Sequence, residues 1–451
     1  MNKLKRPAAA ALAALTLCLG LAGAGCGTGT TSATFPSSTA SAAENTAESE
    51  AALDPANPVT VTFYSYSLTV PTMKDGMEHL VREFNEGAGK EKGVFVKSIP
   101  DENVLKSAAD VQAGNPVDIV QQTFPNMDVA RVNLGYKAYE DVFAADELAL
   151  LYDGIEQKVL DLGKIDGKNY GLPFTMSTPI LYINGSIFKA AGLDPEKPPK
   201  TWDEVLDAAV KIKEKTGNAG LALSASNTWV TYGLFYSNGA GIFKEDGTGV
   251  EFASEQGIEA MEKWKDFFRA GTNALGTDGE VMQQFMAGKA GMTLNTTAYL
   301  SGFNQAFDQA GWELRGTTMP SFGNKPAVPV NSGSALCIRP DSELKAKAIL
   351  EFIKYATGPE GYTIVAGEIG YLPLRGALTD DPKYLKAFAD ANPLVRTNLT
   401  QVKSVKGTIW PAKIAMEGIK IFTDAVVKSL TTDADVGETL KKAQDDINKL
   451  Y

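Results

Sequence analysis

Histidine, the commonest catalytic base and metal ligand, occurs once in these 451 residues, as His79, beside three cysteines, 43 Lys and Arg and 54 Asp and Glu. One imidazole excludes the usual Ser/His and Cys/His pairs and multi-His zinc sites, unless carboxylates or lysines replace them. Carboxylate pairs alone suffice for glycoside hydrolysis. Asp153/Glu156 and Asp203/Glu204 are such pairs, but both fall on the surfaces or caps of predicted helices, where solvated charge accounts for them. Gly239-Ala240-Gly241 lacks the third glycine and the strand-to-helix setting of a dinucleotide loop. Cys337 lies in the apolar run Ser334–Ile338 with no adjoining cation, so it reads as a core thiol. No catalytic residue, metal or organic cofactor is expected, and a secreted glycoside hydrolase remains only a distant alternative.

The formal charge of −11 offers no broad basic surface, which argues against nucleic-acid partners and electrostatic docking on acidic lipid. The N-terminus carries Lys3, Lys5 and Arg6, then an apolar run from Ala8 to Leu21, then Ala22-Gly23-Ala24-Gly25 before Cys26. That is the order of a secretory signal, and the run is shorter than the roughly 20 residues of a membrane span. A cysteine directly after the small residues resembles a bacterial lipoprotein signal, with 1–25 removed and Cys26 lipidated. Gly23 stands where such signals usually place Leu, and plain secretion is the alternative. Residues 26–57 are rich in Ser, Thr and Ala with almost no large apolar groups, and read as a disordered tether reaching on the order of 30 Å.

After Pro58 the pattern is α/β. Val59–Tyr64 alternates as a strand, Met73–Glu83 is an amphipathic helix, and strands follow at Val94–Ile99 and Asp118–Val120, with helices around 104–112 and from Asn126. This alternation predicts a largely parallel sheet with helices on both faces. Lys164–Phe174 reads as a hairpin turning at Asp166-Gly167. Pro179 interrupts the next strand pattern, as expected where a chain passes between two bodies. Thr201 and Glu204 form a capping box for a helix to about Lys215. Ile258, Met261, Trp264 and Phe268 make a core stripe on 255–270, and further helices are expected at about 342–355, 413–430 and 435–450.

Several segments then become recognisable: Tyr170-Gly-Leu-Pro-Phe-Thr-Met-Ser-Thr-Pro-Ile-Leu-Tyr-Ile-Asn184, Phe188–Asp194, Pro198–Val205, Gln284–Met292, Ala348–Ile353 and Ile369-Gly-Tyr-Leu-Pro-Leu374. They resemble the extracellular solute-binding proteins of ABC importers, the sugar-binding group that includes the maltose- and glycerol-3-phosphate-binding proteins. The resemblance implies a two-lobe, type II periplasmic-binding-protein-like fold whose lobes close on a solute about a hinge. It implies lobe one over 58–176 plus 297–334 and lobe two over 178–295 plus 336–451, with Ser177 and Thr296 at the crossovers. It also implies an extracytoplasmic, monomeric binding protein delivering a carbohydrate-like solute to the transmembrane subunits of a permease, anchored to the cell membrane through Cys26.

A sugar presents hydroxyls and apolar C–H faces, so its site needs aromatic platforms and polar groups on strand-end loops. Trp229 falls where the maltose-type proteins carry such a platform, and Tyr371 matches the tyrosine of the Gly-Tyr-Leu-Pro motif. Ser177, Thr296 and Thr297 align with hydroxyl donors, Ser332-Gly333 with a backbone donor, and Trp410 with a ligand-facing segment. Lys406 stands where the glycerol-3-phosphate proteins carry a phosphate-gripping arginine; lysine holds phosphate as a point charge without the bidentate fork. Those proteins have an acid after the third strand, where Gln122 and Phe124 stand here, with Tyr66 a weaker candidate at the first strand. A neutral sugar is therefore expected, and glycerol-3-phosphate or a glycerophosphodiester is the alternative.

Overall fold

The computed structural model describes residues 52–451. The leader 1–25, Cys26 and the tether as far as residue 51 lie outside them. The last residues assigned to the tether are docked on the body. Asp54 accepts from the Ala56 amide at 2.9 Å and from Asn57 Nδ2 at 2.8 Å, and Leu53 packs against the core.

Two sheets organise the chain. The first contains β1 (Val59–Ser65), β2 (Val94–Pro100), β3 (Ile119–Thr123), β4 (Leu172–Ser177) and β9 (Ser332–Ile338) in the order β2-β1-β3-β9-β4. β1 runs parallel to β2 and β3, while β9 is antiparallel to β3 and β4, with Cys337 opposite Val120. The second contains β5 (Pro179–Asn184), β6 (Ala219–Ala222), β7 (Ala290–Thr296) and β8 (Leu314–Thr318) in the order β8-β5-β7-β6, and only its β6–β7 pair is parallel. The Lys164–Asn169 segment forms the expected hairpin about Asp166-Gly167, both at positive φ, but only two residues of each arm pair.

Helices cover these sheets by burying one stripe each. α1 (Pro71–Glu86) and α9 (Glu343–Ala356) pack on the first sheet, with Phe352 5.4 Å from Phe63 and 5.1 Å from Phe84 between ring centroids. α4 (Trp202–Thr216) begins with the Thr201/Glu204 capping box, and α6 (Glu255–Arg269) buries Met261 and Trp264. α11 (Ala415–Thr431) brings Phe422 into the second lobe against Tyr232, Phe235 and Phe252.

This pairing moves the expected lobe limits. Residues 314–318, assigned to lobe one, hydrogen-bond along β5 of the second sheet, and Phe303 on α8 (Leu300–Ala310) packs edge-to-face on Tyr182 of that strand. Residues 336–356, assigned to lobe two, belong to the first sheet and its covering helix. The physical reason is burial: Ala335–Ile338 is apolar on both faces and fits an interior position between β3 and β4. The first passage between sheets lies at Ser177-Thr178-Pro179, the second is the stretch from Met319 to Asn331, and the third runs through Lys406, which bridges to Val330. Thr296 borders the first passage, opposite Pro179, but is not itself a crossover, since α8 stays with the second sheet.

Candidate functional site

The carboxyl ends of β1, β2 and β3 converge at the point where strand order reverses, the usual ligand position in open α/β sheets. A cavity of about 460 Å³ lies there, lined by Tyr66, Asp101, Gln121, Gln122 and Thr123 among others. Asp101 was not expected as a site residue. Its carboxylate accepts from the Lys106 and Ser107 amides at 2.7 and 3.2 Å, so the sequence signal available was its position one turn before a helix. Gln122 is buried, with Nε2 donating to the Thr123 carbonyl at 3.2 Å and Oε1 accepting from Tyr136 at 3.2 Å.

Across the junction, a cavity of about 340 Å³ in the second lobe is lined by Asn227, Trp229, Asp278, Asn295, Thr296, Tyr299 and Ser332 among others. Trp229 was expected on a loop. It sits instead in the first turn of α5 (Thr228–Asn238), capped by the Asn227 side chain, because Val230–Tyr236 is mostly apolar and is buried on every side as a helix. Its Nε1 donates to the Asn331 carbonyl at 2.9 Å, which fixes the plane of the indole. Burial pushes the Asp278 carboxyl above its ordinary range, and the hydrogen bond from Asn227 Nδ2 at 3.1 Å pulls it back.

A third, smaller cavity of about 90 Å³ joins the lobes, with Phe124 and Pro125 from one, Trp229 and Tyr232 from the other, and Asn331 and Thr408 from the passages between them. Trp229 is thus shared by two cavities. Sequence reading missed Asn331, because an asparagine in Val-Asn-Ser-Gly looks like an ordinary turn residue.

The other expected residues are distributed around this arrangement. Thr296 Oγ1 donates to Ser177 Oγ at 2.5 Å, tying β7 to the end of β4 behind the cavity wall. Thr297 is buried and its hydroxyl has no partner. Gly333 holds φ +111°, and a Cβ there would lie 1.9 Å from the Thr175 carbonyl oxygen, so only glycine keeps β9 against β4. The Tyr371 ring is buried behind the first-lobe cavity beside Tyr66 and Thr175, its Oη 3.8 Å from Met73 Sδ, and burial raises its phenol.

Ser177, Thr297, Gly333 and Tyr371 line none of the three cavities, and two further expected residues stand away from them as well. Trp410 faces none of the three cavities: it is fully buried, donates to Tyr232 Oη at 3.0 Å and packs on Phe243 at 5.1 Å, so it is a core residue of the second lobe. Lys406 also lines none of them. Its ammonium lies 4.4 Å from the centroid of the Tyr236 ring, and desolvation lowers its titration. Cys337 is buried and its thiol is pushed up by desolvation, as a core cysteine should be. Among the described residues no cluster of His, Cys, Asp and Glu is arranged to hold a metal ion, and no helix is long and apolar enough to cross a membrane.

A family profile described as bacterial extracellular solute-binding protein matches residues 79–393. Curated relatives include the sn-glycerol-3-phosphate-binding periplasmic proteins UgpB of Agrobacterium fabrum, 29% identical over 53% of this chain and 56% of the relative, and of Pectobacterium atrosepticum, 25% identical over 61% and 65%. The chain therefore spans somewhat over half the length of the curated relatives it matches. Among solved structures, the cyclic alpha-maltosyl-1,6-maltose binding protein of Arthrobacter globiformis superposes with a TM-score of 0.75 at 20% identity, covering 87% of this chain and 99% of that one. UgpB of Mycobacterium tuberculosis in complex with glycerophosphocholine gives 0.73 at 20% identity over 87% and 98%. These likenesses establish the two-lobe maltose-binding-protein-like fold.

Proposed function

Because this chain belongs to the bacterial extracellular solute-binding protein family, we propose that it captures a neutral, polyhydroxylated solute, a sugar or oligosaccharide, between its lobes and delivers it to the transmembrane subunits of an ABC importer. One observation carries the choice of solute. The three cavities at the lobe junction are lined by the rings of Tyr66, Phe124, Trp229, Tyr232 and Tyr299, by hydroxyls and amides, and by Asp101, Glu102 and Asp278, but by no lysine or arginine. Aromatic faces match sugar C–H surfaces, and amides and hydroxyls match their hydroxyls. A phosphate entering this junction would meet carboxylates and no cation.

Glycerol-3-phosphate is the second reading, favoured by the names of the UgpB relatives. It needs a cation in the cleft, and Lys406 is the residue that would have to leave the Tyr236 ring to provide it. A thermal-shift screen of mono-, di- and oligosaccharides against glycerol phosphates separates the two, and small-angle scattering of the best hit should show compaction as the lobes close. Binding of glycerol phosphates alone overturns the sugar reading, and turnover of a hit overturns binding without catalysis.

The proposal also has the mature protein working outside the cytoplasmic membrane as a monomer, held by lipidated Cys26. Cys26→Ser should release it into the soluble extracytoplasmic fraction; identical partitioning of wild type and variant overturns the anchor.

A further inference from the structure

Asn331 is 5% exposed, yet neither its Nδ2 nor its Oδ1 has a hydrogen-bonding partner in the protein. Its main chain is fully engaged: the amide donates to the Lys406 carbonyl at 3.1 Å, and the carbonyl accepts from Trp229 Nε1 at 2.9 Å. Successive residues of an extended chain point to opposite sides, and here Ser332 lines the second-lobe cavity while Asn331 lines the junction cavity with Phe124 and Trp229. Leaving a buried amide unbonded is costly, so such a group belongs to a site that something polar completes.

We propose that Asn331 is a specificity residue of the cleft, whose carboxamide reads one donor–acceptor pair of hydroxyls on the solute. The assignment rests on the sugar-binding reading above. A carboxamide offers a donor and an acceptor side by side, and two neighbouring hydroxyls of a sugar, each both donor and acceptor, satisfy both. The junction cavity of about 90 Å³ admits a hydroxymethyl arm or one edge of a ring, with Phe124 and Trp229 covering its apolar faces. An ionised phosphate has no proton to give Oδ1 and would leave that acceptor stranded. A site built around a hydroxyl contact rejects analogues that lack the hydroxyl far more strongly than an apolar pocket rejects a change in size. Asn331 therefore selects for hydroxyls at the point where the two lobes meet.

The test titrates wild-type, Asn331→Leu and Asn331→Ala proteins by calorimetry with glucose, maltose, maltotriose and sn-glycerol-3-phosphate, and melts each protein without ligand. The saccharide that wild type binds best should lose about tenfold to a hundredfold in affinity for Asn331→Leu. The ligand-free Tm of that variant should stay level or rise, since leucine replaces a stranded amide at similar volume. A deoxy analogue lacking the contacted hydroxyl should lose a similar factor in wild type and nothing further in the variant. Affinity within twofold of wild type in both variants overturns the assignment while leaving sugar binding intact. A loss that tracks a fall in ligand-free Tm makes the residue structural and also overturns it. Wild-type binding of glycerol phosphate alone overturns the sugar reading itself.

Discussion

The two walls of the lobe junction differ in how their polar groups are used. On the first-lobe side they are bonded to one another: Gln121 accepts from Ser65 Oγ and donates to Ser67 Oγ at 3.0 Å and Ser334 Oγ at 2.9 Å, Ser334 pairs with Thr175 at 2.5 Å, and Tyr64 donates to Asp110 at 2.7 Å. Along the second-lobe wall and the passages, Asn331 and Thr297 keep buried polar atoms without partners, and Trp229 holds its ring by one hydrogen bond. A network closed on itself fixes a shape; groups left open fix an affinity for what enters. Stability and recognition should therefore separate between the walls, and substitution can break that separation.

The largest effect is expected at Gln121, only 2% exposed and bonded to three hydroxyls. Gln121→Leu removes the partner of the Ser65 and Ser67 hydroxyls and leaves Ser334 only its contact with Thr175, and the loss should be about 3 kcal/mol of folding stability, read by urea or thermal unfolding. Solute affinity measured below the transition should change less. A variant that unfolds like wild type but binds poorly would reverse the roles assigned to the walls.

Trp229→Ala should do the opposite. The indole is only partly buried and contributes one hydrogen bond to the fold, so the melting temperature should move less than in Gln121→Leu. Affinity for the best saccharide should fall by about 2 kcal/mol, roughly thirtyfold, as for aromatic anchors at interfaces. Unchanged affinity would mean that the two cavities Trp229 lines are not where the solute binds.

What was legible in the sequence was local, in both lobes, for a physical reason. Local rules wrote the strands at 59–65 and 94–100, the Thr201 cap and the break at Pro179, because alternation, capping and proline geometry act within a few residues. The antiparallel insertion of β9 between β3 and β4 depends on partners far away in the chain, which is why the lobe limits were misplaced. The helix carrying Trp229 has no polar face to give it a period. Trp410 and Lys406 were placed at the ligand by alignment alone, whereas in the fold they pack on Tyr232 and Tyr236 of a distant helix. Asn331 is the converse: nothing local marks it, and only burial without partners does.

The smallest expected effect belongs to Lys406, and it sharpens the comparison because this lysine is the cation a phosphate reading would need. The residue is exposed, and its ammonium lies over the Tyr236 ring, whose hydroxyl meets Thr408 Oγ1 at 2.7 Å. For a neutral solute, Lys406→Ala should leave affinity within about twofold and remove only a cation–π contact of about 0.5–1 kcal/mol from the fold. For a phosphorylated solute, affinity should collapse and its salt dependence flatten. Stability against pH gives an independent reading. Burial holds this ammonium below its ordinary value of 10.5, so the folded protein releases the proton at a pH where the unfolded chain still binds it. Across the interval from the lowered value to 10.5 the unfolded state carries more protons, and the contribution of this site to stability rises with pH. The difference between wild-type and Lys406→Ala unfolding free energies should therefore grow in favour of wild type as the solution is made alkaline. A difference that stays flat would mean that the ammonium stands free in solvent, and a lysine free to move would return phosphate to contention at the cleft.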